Sequence, residues 1–151
     1  MSAARDVPYT LAPWLASLTG DHTGHPDAAL LHRVGEWIRN EIECDLIGAE
    51  HCGSRQPRPT AVSRREADLV SQGHRLRDLI AVTRPQTNEG LKAKALVALW
   101  EAGGGVFEEP TDERLHWVAW NLARDILGEH AYGEAIAWAD AVNRDYDAHA
   151  A

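Results

Sequence analysis

The chain is poor in several features that mark familiar functional classes. It has two cysteines, Cys44 and Cys52, too few for a disulfide scaffold, and this favours a reducing, cytoplasmic location. No apolar run approaches the roughly 18 residues that a membrane-spanning helix requires, so we expect no association with a membrane. Strict alternation of apolar and polar residues is lacking and β-branched residues are sparse, which argues against β-strands.

The apolar residues recur instead at helical spacing. A long helix is predicted over residues 26–47, where Asp27 suits the positive end of the helix dipole. A short helical element is predicted before it, with Trp14 and Leu15 anchoring the N-terminal arm, residues 1–25, to the body. The buried face of the long helix is a stripe three and four positions apart, namely Leu31, Val34, Ile38, Ile42 and Leu46.

Start and stop signals bound two further helices. Ser63–Glu66 matches a capping box, in which the serine and glutamate side chains satisfy free backbone N–H groups, so a helix is predicted from there to about residue 83. Pro85 ends it, because the residue before a proline avoids the helical conformation. Thr87 is the expected N-cap of the next helix, which runs to about residue 102.

The C-terminal part continues this pattern. A helix is predicted over residues 112–127, ending at Gly128, and a last helix over residues 131–146, followed by a frayed tail at 147–151. Together the elements predict one domain, residues 26–146, of the all-α class: an irregular bundle of four main helices plus a short N-terminal helical element. The expected buried stripe of the helix at 112–127 is Leu115, Val118, Ala119, Leu122 and Ile126.

Six tryptophans are a surplus for a chain of 151 residues. Trp117 and Trp120 adjoin the apolar stripe of the helix at 112–127, so apolar residues cover more than half of its surface. Two interpretations are open. The pair belongs to the core of the most buried helix, which is favoured, or it forms an aromatic patch that binds a protein partner or a second copy.

The charged residues are unevenly distributed. Residues 1–50 hold 3 basic and 8 acidic side chains, residues 51–95 hold 9 and 4, and residues 96–151 hold 3 and 11. The basic segment at 64–94 resembles a helix–turn–helix in layout, and Arg84, Lys92 and Lys94 are its candidates for contacting nucleic acid. The favoured alternative is that the acidic flanks neutralise it, because the net charge of −8 repels nucleic acid.

Gly90 is an anomaly within this basic segment. A glycine in the first turn of a helix costs up to about 1 kcal/mol relative to alanine. We therefore expect that another helix or a partner approaches closely at Gly90, or that Lys92 and Lys94 need the clearance, and we include Gly90 among the candidate interaction residues.

A metal site is the weakest candidate for function. The chain has neither a C-x-x-C pair nor an H-E-x-x-H helix, so the ligand types that it holds have no diagnostic spacing. The available residues are His22, His25, Cys44, His51 and Cys52.

One resemblance adds to this picture. The segment Asp78–Trp100, with T-R-P-Q-T-N-E-G-L-K-A-K-A-L-V-A-L-W at its centre, resembles a pattern in short uncharacterised helical proteins of alphaproteobacteria, and Asp112–Leu127 is similar to the segment that follows it there. The resemblance covers about the C-terminal half. It implies a bacterial, mostly helical protein and brings no catalytic residues.

No catalytic set and no cofactor motif is recognisable in the sequence. We therefore predict a small non-enzymatic helical protein that acts through macromolecular interaction, with a protein partner or with itself. The alternative is a nucleic-acid-binding regulator that uses residues 64–94, and metal binding is a weaker one.

Overall fold

The computed structural model describes residues 11–52, 56–102 and 114–150, and in the last range it describes the side chains of residues 119–144. Within these ranges the chain contains no β-strand, which confirms the all-α class. No helix in this part of the chain is long and apolar enough to cross a membrane. The elements are α1 (Pro13–Leu18), α2 (Ala28–Glu50), α3 (Thr60–Val82), α4 (Asn88–Ala102) and α5 (Arg114–Ala150).

Helix α5 is broken at Gly128, whose backbone has φ 73° and ψ 165°. Glycine suits this conformation because it has no Cβ to strain there. In a straight helix, positions 120 and 132 would lie about 18 Å apart along the axis, yet the ring centroids of Trp120 and Tyr132 are 6.2 Å apart. The chain therefore bends sharply at Gly128, where the sequence predicts a stop, and the second segment continues to Ala150, beyond the predicted end.

Helix α4 is largely buried. It packs mainly on α5 and also contacts α2 and α3. Its exposed side carries Glu89, Leu91, Ala98 and Glu101. The buried residues of α4 are Gly90, Ala93, Ala95, Leu96, Val97, Leu99, Trp100 and Ala102.

Three tryptophans join α2, α4 and α5 in the core. Trp37 meets Trp100 edge-on, with 5.8 Å between ring centroids, and Trp138 edge-on at 6.3 Å. Trp100 and Trp138 are stacked at 5.7 Å. Aromatic pairs of this kind contribute about 0.5–1.5 kcal/mol each beyond the burial of their area. The three rings therefore help to fix the relative positions of the three helices.

Helix α1 is docked on α2 and α5. Leu15 and Leu18 are fully buried, and a Cβ placed on Gly35 would lie 2.3 Å from the Leu18 carbonyl oxygen, so this approach requires glycine. The Oε2 atom of Glu134 in α5 accepts hydrogen bonds from the backbone N–H groups of Trp14 and Leu15, at 3.0 and 3.2 Å. The predicted anchoring of the arm through Trp14 and Leu15 is confirmed.

Helix α3 begins earlier than predicted. Its first residue is Thr60 and its N-cap is Pro59, with no side-chain hydrogen bond to the cap. The fixed φ of a proline suits the entry to a helix, so the chain becomes helical before it reaches Ser63–Glu66. The predicted capping box is therefore wrong, and Glu66 forms an ion pair with Arg58 instead.

Candidate functional site

Asp27 holds the start of helix α4. Its carboxylate accepts hydrogen bonds from the Gln86 N–H at 2.8 Å, the Thr87 N–H at 2.8 Å and the Thr87 hydroxyl at 2.6 Å. The Thr87 hydroxyl oxygen in turn accepts the Gly90 N–H at 3.1 Å, which confirms Thr87 as the cap of α4. Asp27 stands at the N-cap of α2, at the positive end of that helix's dipole as predicted, but its side chain makes no capping hydrogen bond to α2.

The approach of Asp27 accounts for Gly90. A Cβ on Gly90 would lie 2.3 Å from Asp27 Oδ2, so this position needs a glycine to admit the carboxylate. Burial raises the pKa of Asp27, but the hydrogen bonds from Thr87 and Gln86, and the nearby His25, outweigh it and hold the pKa below its ordinary value. The close approach expected at Gly90 is therefore made by the Asp27 side chain of the same chain.

The cations of the basic segment have different environments. Lys94 Nζ donates to the carbonyl oxygens of Ala81 at 2.6 Å and Thr83 at 3.1 Å, at the end of α3. A cation is favourable there because the C-terminus of a helix carries partial negative charge. Lys92 is half-buried and Arg84 is exposed. Lys94 therefore serves the fold, and Arg84 is the most accessible of these three candidates.

Two arginines of α3 pair with acids on the neighbouring helices. Arg65 donates from Nε and Nη2 to the two carboxylate oxygens of Glu43, at 2.8 and 2.9 Å, and Arg77 pairs with Glu101. Helix α3 packs mainly on α2, whereas α4 packs mainly on α5, unlike the mutually packed helices of a helix–turn–helix. Both observations favour neutralisation of the basic segment over a nucleic-acid surface.

The metal-ligand candidates are spread along the chain. His22 and His25 precede α2, whereas His51 and Cys52 follow it, and a helix of 23 residues is about 35 Å long. Burial, and then the neighbouring acids, raise the pKa of the Cys44 thiol to about 12, whereas metals bind the thiolate. Among the described residues, no group of three or more His, Cys, Asp or Glu is arranged to hold a metal ion.

Helix α5 buries a different face from the predicted one. Trp120, Ala123 and Leu127 are buried, which confirms Trp120 as a core residue and removes it from the surface. Leu122 of the predicted stripe is 59% exposed and Ala119 is exposed as well. The predicted burial of the stripe is therefore wrong at these two positions, because the face that carries the tryptophan turns inward instead.

The inward turn of Trp120 leaves a second apolar face on the outside of α5. Ala119, Leu122 and Ile126 form this outer face of α5; they stand three and four positions apart and therefore share one side of the helix. Ile126 is half-buried and packs partly against the core, so the face is most open at Leu122. The side chains of Leu115, Trp117 and Val118 lie outside the described residues.

Glu41 and Asp45 form an acidic pair one helical turn apart on α2. Burial raises the pKa of Glu41, against the opposing effects of Arg77 and Trp37. Burial, and then the Glu41 carboxylate, raise the pKa of Asp45 to about 7. No described residue donates a hydrogen bond to Asp45 Oδ2. The sequence pattern assigns Glu41 to a solvated face; the spacing of four between the two acids is the signal that they share an environment.

The comparisons with known proteins do not extend this picture. No protein-family model, curated protein or solved structure matches the chain.

The acidic pair predicts an unusual dependence of stability on pH. A raised pKa means that the folded chain binds a proton more tightly than the unfolded chain, so stability falls as pH rises from 5 to 8. Asp45→Asn removes this titration. We expect its stability advantage over the wild type to grow by about 3 kcal/mol across that range, at about 1.36 kcal/mol per pKa unit. Urea unfolding of both proteins at each pH measures the difference.

The difference between the two proteins cancels the contributions of titratable groups that do not interact with Asp45. Asp27 does not interfere, because its lowered pKa keeps it ionised throughout. An advantage of Asp45→Asn that is constant from pH 5 to pH 8 would show that Asp45 titrates normally.

Proposed function

We propose that the protein has no enzymatic activity and acts by binding a protein chain on the outer face of α5, and that this chain is a second copy of itself. The observation that supports the proposal is the 59% exposure of Leu122 on a helix that already buries a neighbouring face. An amphipathic helix on a monomer surface carries polar residues on its outer side. Helix α5 departs from that pattern at Ala119 and Leu122, which are apolar and exposed.

The energetics favour a weak, reversible association. Full burial of a leucine side chain stabilises by about 1.5–3 kcal/mol. Leu122 is 59% exposed, so each copy of a twofold dimer gains somewhat more than half of that contribution. Ala119 and Ile126 add a smaller apolar area on either side of Leu122. Association itself costs at least about 4 kcal/mol of lost translational and rotational freedom. The expected dimer is therefore dependent on concentration.

The charges around the stripe are compatible with a second copy. In an antiparallel pairing with Leu122 on the twofold axis, each residue three positions after Leu122 faces the residue three positions before it. Asp125, which is 73% exposed, then lies opposite Ala119 of the other copy, and the two aspartates do not meet. Residues spaced three and four apart also form the ridges by which helices pack together.

Sedimentation equilibrium over a series of concentrations tests the proposal. The wild type is expected to move from monomer to dimer as concentration rises. Leu122→Glu places a charge on the axis in both copies and is expected to weaken association by at least about tenfold. Val82→Glu is the control, because Val82 is 82% exposed at the end of α3 and lies on a different helix.

Circular dichroism of the two variants checks that both retain the helical fold. A wild type that stays monomeric at every concentration would contradict self-association. Equal dimerisation of the wild type and Leu122→Glu would show that the interface does not lie on the outer face of α5.

A further inference from the structure

Helix α1 lies in a groove between α2 and α5 in the manner of a bound peptide. Its anchors are Leu15 and Leu18, which stand three positions apart and are fully buried. Gly35 of α2 forms the floor of this α1 groove, because a Cβ there would lie 2.3 Å from the Leu18 carbonyl oxygen. Recognition of a helix in a groove uses the same elements, namely apolar anchors spaced along one face of the helix.

The charges of the α1 groove match the dipole of the helix that it holds. At the start of α1, Oε2 of Glu134 accepts hydrogen bonds from the N–H groups of Trp14 and Leu15, at 3.0 and 3.2 Å. At its end, Nη1 of Arg39 donates to the Thr19 carbonyl oxygen at 2.9 Å. An acid at the positive end of a helix and a base at the negative end are both favourable. The groove therefore binds a helix in one direction.

Glu134 depends on α1 for its hydrogen-bond donors. Its side chain is 8% exposed. Among the described residues no arginine or lysine pairs with it, and its other partner is His130, which is 86% exposed. A buried carboxylate that loses its donors is strongly unfavourable. Residues 11–20 carry no charged side chain, so the α1 groove selects an uncharged helix that presents free N–H groups to Glu134.

The connection from α1 to α2 is longer than the distance that it spans. A Cβ on Gly35 would lie 3.2 Å from the Thr19 Cα. Ala28, the first residue of α2, stands seven residues before Gly35, which is about 10 Å along the helix axis. Nine peptide units link Thr19 to Ala28, and they reach about 30 Å when extended. The connection is therefore long enough for α1 to leave its own groove and reach that of a neighbouring copy.

We propose that the α1 groove binds α1 of a second copy, so that two chains exchange this helix. The exchanged helix makes the same contacts that it makes within one chain, so the exchange requires no new surface. The contacts of α2 with α3, α4 and α5, and of α4 with α5, do not involve α1. A short element outside these contacts opens at a lower free energy than the whole fold. The exchange is separate from self-association through the outer face of α5.

Two copies with complementary defects test the proposal. In the first copy, Leu15→Asp and Leu18→Asp keep α1 out of any groove, while the groove stays intact. In the second copy, Gly35→Ala and Glu134→Gln block the groove, while α1 stays intact. Both copies also carry Leu122→Glu, which excludes association through the outer face of α5. Nuclear magnetic resonance titration of the isotope-labelled first copy with the unlabelled second copy is expected to give saturable shifts in the backbone amides around Gly35 and Glu134.

The control is the second copy with Leu15→Asp and Leu18→Asp added, which has no intact α1 and should give no saturable shift. Addition of Glu134→Gln to the first copy is expected to weaken the saturable binding by about tenfold, because the N–H groups of the incoming helix lose a charged acceptor. Circular dichroism establishes that each copy folds. Absence of saturation between folded copies, or equal shifts with the control, would overturn the proposal.

Hydrogen exchange of the wild type decides the question if a variant does not fold. Transfer of α1 to another copy requires α1 to open locally. The backbone amides of Leu15 and Ala16 are therefore expected to be protected at least about tenfold less than those of Leu96 and Leu99 in α4, and this result would support the proposal. Equal protection of the two pairs would mean that α1 opens only when the whole protein unfolds, which rules out the exchange.

Discussion

Replacement of Gly90 by alanine is expected to destabilise the protein by about 2 kcal/mol, although alanine is the better helix former. The new Cβ would lie 2.3 Å from Oδ2 and 2.6 Å from Cγ of Asp27. The carboxylate must then move, which weakens its hydrogen bonds from Gln86 and Thr87. Each buried donor left without a partner costs about 1–3 kcal/mol. Urea unfolding followed by circular dichroism measures the change in the free energy of unfolding.

Gly133→Ala is the matched control for this substitution. Gly133 also lies within a helix, and a Cβ there would meet no atom within 4 Å. Alanine is therefore expected to stabilise the protein at this position by up to about 1 kcal/mol. If Gly90→Ala were as stable as the wild type, the carboxylate of Asp27 would not occupy the space beside Gly90.

The helices themselves are predictable from the sequence because their signals are local. Four of the five apolar residues that the spacing places on the inner face of α2 are buried, and Leu46 is partly buried against the core. Gly128 ends a helical segment because its backbone has a positive φ, which does not continue a helix and which glycine adopts without strain. The boundary at Thr60 was not predictable from the capping-box pattern, because that pattern describes one way to begin a helix and Pro59 provides another.

Helical spacing alone does not determine which apolar face of α5 packs into the core. One face carries Trp120, Ala123 and Leu127, and the neighbouring face carries Leu122 and Ile126. Both are apolar and both have helical spacing. Trp120 packs its ring against Tyr132 in the core, and tryptophan has the larger apolar area to bury. The outer face of α5 can therefore be identified only once the structure shows which face of the helix is buried.

The sequence also does not predict that the buried carboxylates of Asp27 and Glu134 accept hydrogen bonds at the starts of α4 and α1. Asp27 binds Thr87, 60 residues away, and Glu134 binds the N–H of Trp14, 120 residues away. An acid close to a helix start is expected to serve that helix, and nothing in the local sequence of Asp27 indicates a distant one. These contacts connect α2 to α4 and α5 to α1, so they hold together elements that are remote in the chain.

Asp27→Ala is accordingly expected to lower the free energy of unfolding by about 3 kcal/mol or more, because the N–H groups of Gln86 and Thr87 and the Thr87 hydroxyl lose their acceptor. Asp21→Ala is the control. Asp21 is an exposed acid in the turn before α2 that binds only its neighbour Thr23 among the described residues. Its removal should leave stability nearly unchanged in the same urea titration.

The double variant Asp27→Ala/Gly90→Ala tests whether position 90 needs glycine because of the contact with Asp27 or because of an effect local to α4. When Asp27 is alanine, no carboxylate stands beside Gly90, and Gly90→Ala should then stabilise the protein by up to about 1 kcal/mol. The sign of the substitution is thus expected to reverse between the two backgrounds, which a double-mutant cycle reports as a coupling energy. Helix propensity at position 90 does not depend on the residue at position 27. The same destabilisation by Gly90→Ala in both backgrounds would therefore assign the glycine to a cause within α4 itself.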